Sequence, residues 1–250
     1  MSATSPAPAS STLSVCLASY NGSAYLRAQI DSILSQLGPE DELLVSDDAS
    51  TDDTLMILRS YGERIRIVGT DRSGGVVANF ERVMRHATKD IIALSDQDDV
   101  WLDGRVDLIR ASLRDCDLVM LNGIVVDGAL QSLDSTVFRS VGVRGGFWRN
   151  LAKNSFVGCC MAFRRDLVQT ALPFPRGLPW HDWLIGLLAE LRGGVCRVET
   201  PTILYRRHGA NFSATGEKST FSIGHRLAMR VAVLRAVVQV LLRRSNRRPA

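Results

Sequence analysis

Residues 94–101 read LSDQDDVW, so Asp96, Asp98 and Asp99 crowd into four positions directly behind the apolar run IIAL. Packed carboxylates repel one another and raise each other's pKa unless a cation sits among them. Such a cluster is either a solvated turn or a cradle for a metal ion, because hard divalent cations take carboxylate oxygens. Other polar groups follow apolar runs in the same way: Ser19, Tyr20 and Asn21 after LSVCLA, and Asp47 and Asp48 after ELLVS. Each also suits a plain turn, since Asp and Asn hydrogen-bond their own backbone there. Two more candidates lie far along the chain, Asp182 in PWHDW and the basic stretch YRRHGANFS with Arg206, Arg207 and His208.

Residues so far apart need a scaffold that gathers strand ends. LSVCLAS (13–19), ELLVSD (42–47), IRIVGT (65–70), DIIALSD (90–96) and DLVMLNGIVVD (117–127) read as strands. Between them, AYLRAQIDSILSQL (24–37), DDTLMILRSYG (52–62), VVANFERVMRHA (76–87) and DGRVDLIRASLRD (103–115) carry apolar residues at helical spacing. Gly38-Pro39 and Gly62 stop the first two helices, and Ser50 or Thr51 is the expected cap of the second. This alternation predicts an α/β fold, a mostly parallel sheet flanked by helices with right-handed crossovers. In such sheets ligands bind beyond the carboxyl ends of the strands, where these clusters fall. The second half is less regular: a strand and short helix over 155–168, an apolar helix over 178–191, and a strand with a polar loop over 195–213.

The 250 residues, 46% hydrophobic and 22% charged with a net charge of +4, describe a globular chain with a sizeable core and give no reason to expect nucleic-acid binding. Residues 1–12 are small, polar and Pro-rich, and read as a disordered leader without the pattern of a signal peptide. The five cysteines show no C-x-x-C spacing and read as reduced thiols of a cytoplasmic protein. No apolar run approaches the ~18 residues of a membrane span. The tail, 221–250, differs in kind. Leu227, Val231, Leu234, Val238, Leu241 and Leu242 recur at helical spacing, and seven arginines with no acidic residue lie between Arg226 and Arg248. A basic amphipathic helix suits an anionic membrane surface, or else it packs on the domain.

In order, ASYNGSAYLRAQIDSIL, VSDDASTDDT, LSDQDDVW, HDW and YRRHGANFS resemble the inverting family 2 glycosyltransferases of GT-A fold, within them the bacterial rhamnosyltransferase-like group, over residues 13–213. The resemblance implies one domain over 13–220, with a nucleotide-sugar half (13–127) and an acceptor half (128–220). It implies transfer of a hexose such as L-rhamnose from a dTDP- or UDP-linked donor to a glycan or lipid-linked acceptor. The enzyme would sit in the cytoplasm or at the inner face of the plasma membrane. Asp98, with Asp96 and His208, would hold Mg2+ or Mn2+. Ser19, Tyr20, Asn21, Asn79 and Asp96 would line the nucleotide, and Asp47, or its neighbour Asp48, would accept the imide N–H of the base. Asp99, Gly158, His181, Trp183 and Arg206 would serve the donor sugar or the acceptor. Asp182 would be the catalytic base, its pKa lowered by a neighbouring His181 imidazolium.

Two other readings use the same residues. A sugar nucleotidyltransferase needs a Gly-rich, basic phosphate loop after the first strand, which ASYNGSAY does not supply. A non-catalytic nucleotide-sugar or glycan-binding module would tolerate loss of Asp98 or Asp182, and both are present. A dinucleotide oxidoreductase is disfavoured by the lack of G-x-G-x-x-G after the first strand.

Overall fold

The computed structural model describes residues 11–208 and 222–245. Most of the expected leader, the motif residues after His208, and Arg247 and Arg248 lie outside the described residues. The chain begins β1 (Leu13–Ser19), α1 (Leu26–Leu34), β2 (Glu42–Asp47), α2 (Thr54–Arg59), β3 (Arg66–Gly69), α3 (Val76–Arg85) and β4 (Ile91–Ser95). It continues β5 (Val100–Trp101), α4 (Arg105–Ser112), β6 (Leu118–Val126), β7 (Ser132–Thr136), α5 (Val137–Val141) and α6 (Phe147–Ala152). Then come β8 (Met161–Arg164), α7 (Arg165–Gln169), α8 (His181–Arg192), β9 (Val195–Arg206) and α9 (Ile223–Ser245).

One sheet runs through the molecule in the order β3-β2-β1-β4-β8-β6-β9-β5, with β7 added on β6. The first four strands are parallel. From β1 the chain winds outward to β2 and β3, and α3 carries it back to β4 on the other side of β1. The order therefore reverses between β1 and β4, and the crevice beyond their carboxyl ends is where such sheets bind ligands. Ser19 ends β1, and Asp96 follows β4. Beyond β4 the sheet is mixed. β8 runs antiparallel between β4 and β6, while β6 and β9 form a long parallel pair. The two-residue β5 lies antiparallel on β9, matching Val100 with Leu204 and Trp101 with Ile203. The acidic loop is thus tied at both ends, by β4 before it and β5 after it.

The inner strands are apolar on both faces because helices cover both. Leu13, Val15, Leu17, Leu44, Ile92 and Leu94 are fully buried. Helix α1 contributes Leu26, Ile30 and Ile33 from one face. Helix α8 is apolar nearly all round, since α3, α6, α7, α9 and β9 all pack on it. Helix α2 starts after Asp53 with no side-chain cap, so neither Ser50 nor Thr51 caps it; instead the Asp52 carboxylate accepts Thr54 N–H at 3.0 Å. The cysteine expectation is corrected in part. Cys116, just before β6, and Cys196, in β9, form a disulfide across the paired strand starts, while Cys16, Cys159 and Cys160 are free and buried. No helix among the described residues is long and apolar enough to cross a membrane.

Arg105, at the start of α4, is fully buried. Its guanidinium donates to the Thr202 hydroxyl and, at 2.6 Å, to the Cys159 carbonyl, and it lies 4.8 Å from the Trp101 ring centre. Burial pulls its pKa down, and the Cys160 and Cys159 thiols and the Asp99 carboxylate oppose that pull. Removing one partner of a buried charge set leaves the others uncompensated. Arg105→Leu is therefore expected to lower the unfolding free energy by about 3 kcal/mol or more, read as a lower urea midpoint at unchanged slope.

Candidate active site

The end of β1 and the end of β2 are stitched together by short polar side chains. Ser19 pairs in register with Asp47, and its hydroxyl donates to Asp47 Oδ1 at 2.8 Å. Ser50 donates its hydroxyl to the same oxygen at 2.6 Å and its N–H to Oδ2 at 2.8 Å. Asp47 is fully buried, so its carboxylate faces the protein and cannot meet a base. Asp48 points the other way and is partly exposed. Its Oδ1 accepts from Ser73 and Gly74, and its Oδ2 accepts Gly75 N–H at 3.0 Å. Burial works to raise the Asp48 pKa, and these hydrogen bonds outweigh it and hold the group below the usual carboxylate range.

Asn79 is buried rather than solvated. It donates to the Ser19 carbonyl at 3.1 Å and accepts from Arg82 at 3.2 Å. It props the loop from beneath. Asn21, at φ 49°, brackets the loop to residues 50 and 51 by donating its N–H to Ser50 Oγ and accepting Thr51 N–H, both at 2.8 Å. Tyr20 projects outward, 54% exposed. Its backbone is held by Gln97, which accepts Tyr20 N–H at 2.8 Å and donates to the Tyr20 carbonyl at 2.9 Å. Gly22 leaves the space that the Gln97 amide fills.

Gln97 links this loop to the acidic cluster. Asp96 and Asp98 are half-buried and Asp99 is buried. One ligand atom each from Asp96, Asp99 and Cys159 lie within 4.8 Å of one another. Burial, then the Asp98 and Asp182 charges, push Asp96 up to about 7, and burial with Asp98 and Asp96 holds Asp99 well above the carboxylate range. Asp99 Oδ1 accepts Arg206 N–H at 3.0 Å, while Oδ2 is buried and accepts no N–H or O–H bond among the described residues. His208 Nε2 lies 2.9 Å from Asp98 Oδ2. These hard oxygen donors fit Mg2+ or Mn2+, and the crowding that raises their pKa values is what a divalent cation relieves. Arg206 is buried against the loop, donating to the Asp98 carbonyl at 2.7 Å and the Gly128 carbonyl at 2.6 Å, over the Tyr25 ring at 4.4 Å.

Asp182 lies in the first turn of α8, beside the turn Gly158–Cys160 that leads into β8. A Cβ on Gly158 would sit 3.4 Å from His181 Nε2, 3.9 Å from Leu94 and 4.0 Å from the Asp182 Cβ, all ordinary contacts, so Gly158 lies between the base candidate and the end of β4. Asp182 Oδ1 accepts Trp183 N–H at 2.6 Å. Burial pushes Asp182 up to about 7, against lowering hydrogen bonds from Trp183, Gly158 and the Asn154 side chain. The expected His181 effect is corrected. His181 is buried, stacks on Phe80 at 4.3 Å, and neither ring nitrogen has a hydrogen-bond partner among the described residues. Burial drives its pKa down to about 3, so the ring is neutral and cannot lower Asp182. Trp183 is also buried, its indole N–H on the Asn150 carbonyl at 2.8 Å, and offers no face to a sugar.

A family model described as Glycosyl transferase family 2 matches residues 14–172, which hold both strand-end loops, the acidic cluster and Gly158. The chain belongs to glycosyltransferase family 2. Within the family it is 25% identical over 222 residues to the dTDP-rhamnosyl transferase RfbG of Shigella flexneri, covering 79% of this chain and 75% of RfbG. In fold it resembles S. aureus TarS 1-349 in complex with UDP-GlcNAc, with a TM-score of 0.68 at 18% identity over 92% of this chain and 66% of that one. It also resembles the mannosyltransferase PcManGT of Pyrobaculum calidifontis in complex with GDP-Man and Mn2+, with a TM-score of 0.55 at 18% identity over 97% and 66% of the two chains. This glycosyltransferase therefore has the GT-A fold.

Several residues that shape the site carry weak signals in the sequence. Gln97 stands between two aspartates, Cys159 looks like core, and Asn154 sits in an irregular stretch. Arg82 donates to Ser46 Oγ at 2.6 Å, to Asp71 and to the Asp47 carbonyl, locking the ends of β2 and β3 under the loop. A surface-like helix pattern hides that role.

The raised Asp182 pKa has a cost in stability. Between pH ~4, where an unfolded Asp titrates, and pH about 7, the folded chain keeps a proton that the unfolded chain has released. Stability from this group therefore falls as pH rises through that window and then levels. Asp182→Asn removes the loss. Its melting temperature is expected to exceed the parent's at pH 8 and to match it near pH 4; equal differences at both values would contradict the raised pKa.

Proposed function

We propose that this chain is an inverting, metal-assisted hexosyltransferase. It moves a hexose, L-rhamnose being the first to test, from a dTDP- or UDP-linked donor to a glycan or lipid-linked acceptor. The observation that carries this reading is the approach of Asp182, from the first turn of α8, to the end of the strand that bears the acidic cluster, with Gly158 between them. Inversion is a single displacement at the anomeric carbon. It needs a base on the face away from the leaving diphosphate. Asp182 suits that role, since a pKa of about 7 combines an available base form with real basicity at neutral pH. The acceptor hydroxyl would give its proton to Asp182 as its oxygen bonds the anomeric carbon. The bond to the diphosphate oxygen breaks with its electron pair, and the nucleoside diphosphate leaves.

Asp98, with Asp96 and His208, would hold the cation. When bound, the metal supplies charge neutralisation for the diphosphate. Asp99 supports the loop through Arg206, and Arg206 fixes the backbone of Asp98. At the nucleotide end we assign base recognition to Asp48. A carboxylate offers about four lone-pair positions, and Oδ2 of Asp48 takes one bond, from Gly75. Tyr20 presents an exposed ring for stacking on the base, and Ser19, Asn21 and Asn79 hold the loop that carries it. The dTDP-rhamnosyl activity named for RfbG supports rhamnose as the donor sugar. The UDP-GlcNAc and GDP-Man in the two solved complexes mark the range of donors on this fold.

Calorimetric titration of dTDP and UDP, with Mn2+ and with EDTA, tests the donor site. Metal-dependent binding of one nucleotide is expected, and Asp98→Ala is expected to abolish the metal dependence. Binding unaffected by EDTA would remove the metal from the reading. Asp182→Asn is expected to bind the nucleotide as the parent does and to lose ~10²–10⁴-fold in transfer rate. Unchanged turnover would take Asp182 out of the base role.

A further inference from the structure

Helix α9 is apolar on two sides, and among the described residues only one of them is packed. Val233, Ala236, Val237 and Val240 are buried against the body, where α9 meets α6 and α8. On the other side Leu227, Val231, Leu234, Val238, Leu241 and Leu242 form one exposed stripe at helical spacing, with Leu227 57% and Leu242 62% exposed. By the helix period, Arg230 borders this stripe on one side and Arg235 on the other, while Arg226, one heptad before Val233, is exposed at the start of the helix. A stripe this long on a surface helix marks a contact face.

A second observation comes from α6. Arg230 Nε donates to the Ala152 carbonyl at 2.8 Å, tying α9 to the end of α6. Helix α6 carries Trp148, 74% exposed, with Arg149 and Lys153 exposed beside it. The stretch from residue 135 to 165, which contains α6, holds six lysines and arginines and no acidic residue. The span from Arg226 to Arg248 holds seven arginines and again no acid. These two stretches hold 13 of the 30 lysines and arginines and no acid, against a whole-chain net charge of +4, and α6 touches α9.

We propose that α9 and α6 form a docking face for an anionic lipid bilayer, on which the chain lies with the α9 stripe and Trp148 in the interface. Amphipathic helices with arginines flanking an apolar stripe seat in this way, and Trp favours the headgroup level. Charge decides against a second copy of this chain as the occupant. Pairing two such helices would bring their arginines together with no acid to neutralise them, whereas anionic headgroups neutralise both stretches at once. The face also adjoins the base candidate, since α8, which carries Asp182 in its first turn, packs on both α6 and α9. The inference rests on exposure and charge and holds whichever sugar is transferred.

Co-sedimentation of the full chain with vesicles tests it. Binding to phosphatidylcholine vesicles containing roughly a third phosphatidylglycerol is expected, weakening as salt rises, with little binding to phosphatidylcholine alone. The Leu234→Glu/Val238→Glu chain is expected to lose vesicle binding while keeping the parent's melting temperature and nucleotide binding. Arg226→Gln/Arg235→Gln, which leaves the apolar stripe intact, is expected to bind about thirtyfold more weakly, and Trp148→Ala more weakly as well. Failure to bind the anionic vesicles, or equal salt-insensitive binding to both compositions, overturns the proposal. So does a sedimentation-velocity dimer that the Leu234→Glu/Val238→Glu change makes monomeric, because the face would then belong to a second copy. Nucleotide titration of the same chains separates each of these failures from failure of the transferase reading.

Discussion

Asp96, Asp98 and Asp99 stand at the end of an apolar strand, with Asp182 brought up beside them, and the repulsion within that group governs what surrounds it. Each neighbour answers the charge in its own way. Arg105 lies buried beneath with its guanidinium on the Cys159 carbonyl. The Arg206 backbone N–H takes one oxygen of Asp99, and its side chain clamps the Asp98 carbonyl. The Cys159 thiol sits against Asp96 and Asp99. The charge left over appears as raised pKa values, which is stability forgone in return for a site that attracts a cation. A packed core with satisfied polar groups would not need this arrangement; the proposed site for a metal and a diphosphate would.

The parallel half was legible because each strand is a short apolar run and each crossover helix carries a regular apolar face. That alternation predicts a mostly parallel sheet, whereas the strand order and the crevice between β1 and β4 come from the structure. The second half was not legible to the same degree. β5 has two residues, too few for any period to show. The place of β8 between β4 and β6 depends on pairing with strands about seventy and forty residues away, which local pattern does not encode.

At the site, residue types were legible and orientations were not. Asp47 and Asp48 are adjacent and chemically identical, yet successive strand residues face opposite sides, and the in-register partner Ser19 turns Asp47 inward. His181 and Trp183 both read as groups that could meet a sugar. Burial between α8 and the body makes one a neutral ring stacked on Phe80 and the other a core indole. A one-dimensional sequence names candidates for chemistry, but the packing of distant helices decides which of them see solvent.

Gln97 shows how little of the acidic motif is spacer. A single planar amide both donates to and accepts from the backbone of Tyr20. Glutamate at this position would have no N–H to give the Tyr20 carbonyl and would add a fourth carboxylate to the cluster, and asparagine is one methylene shorter. The tolerance of the motif is therefore inverted from what its acidic lettering suggests. The position between the aspartates has few acceptable replacements, because it carries the mechanical coupling between the loop proposed to meet the base and the loop proposed to meet the metal.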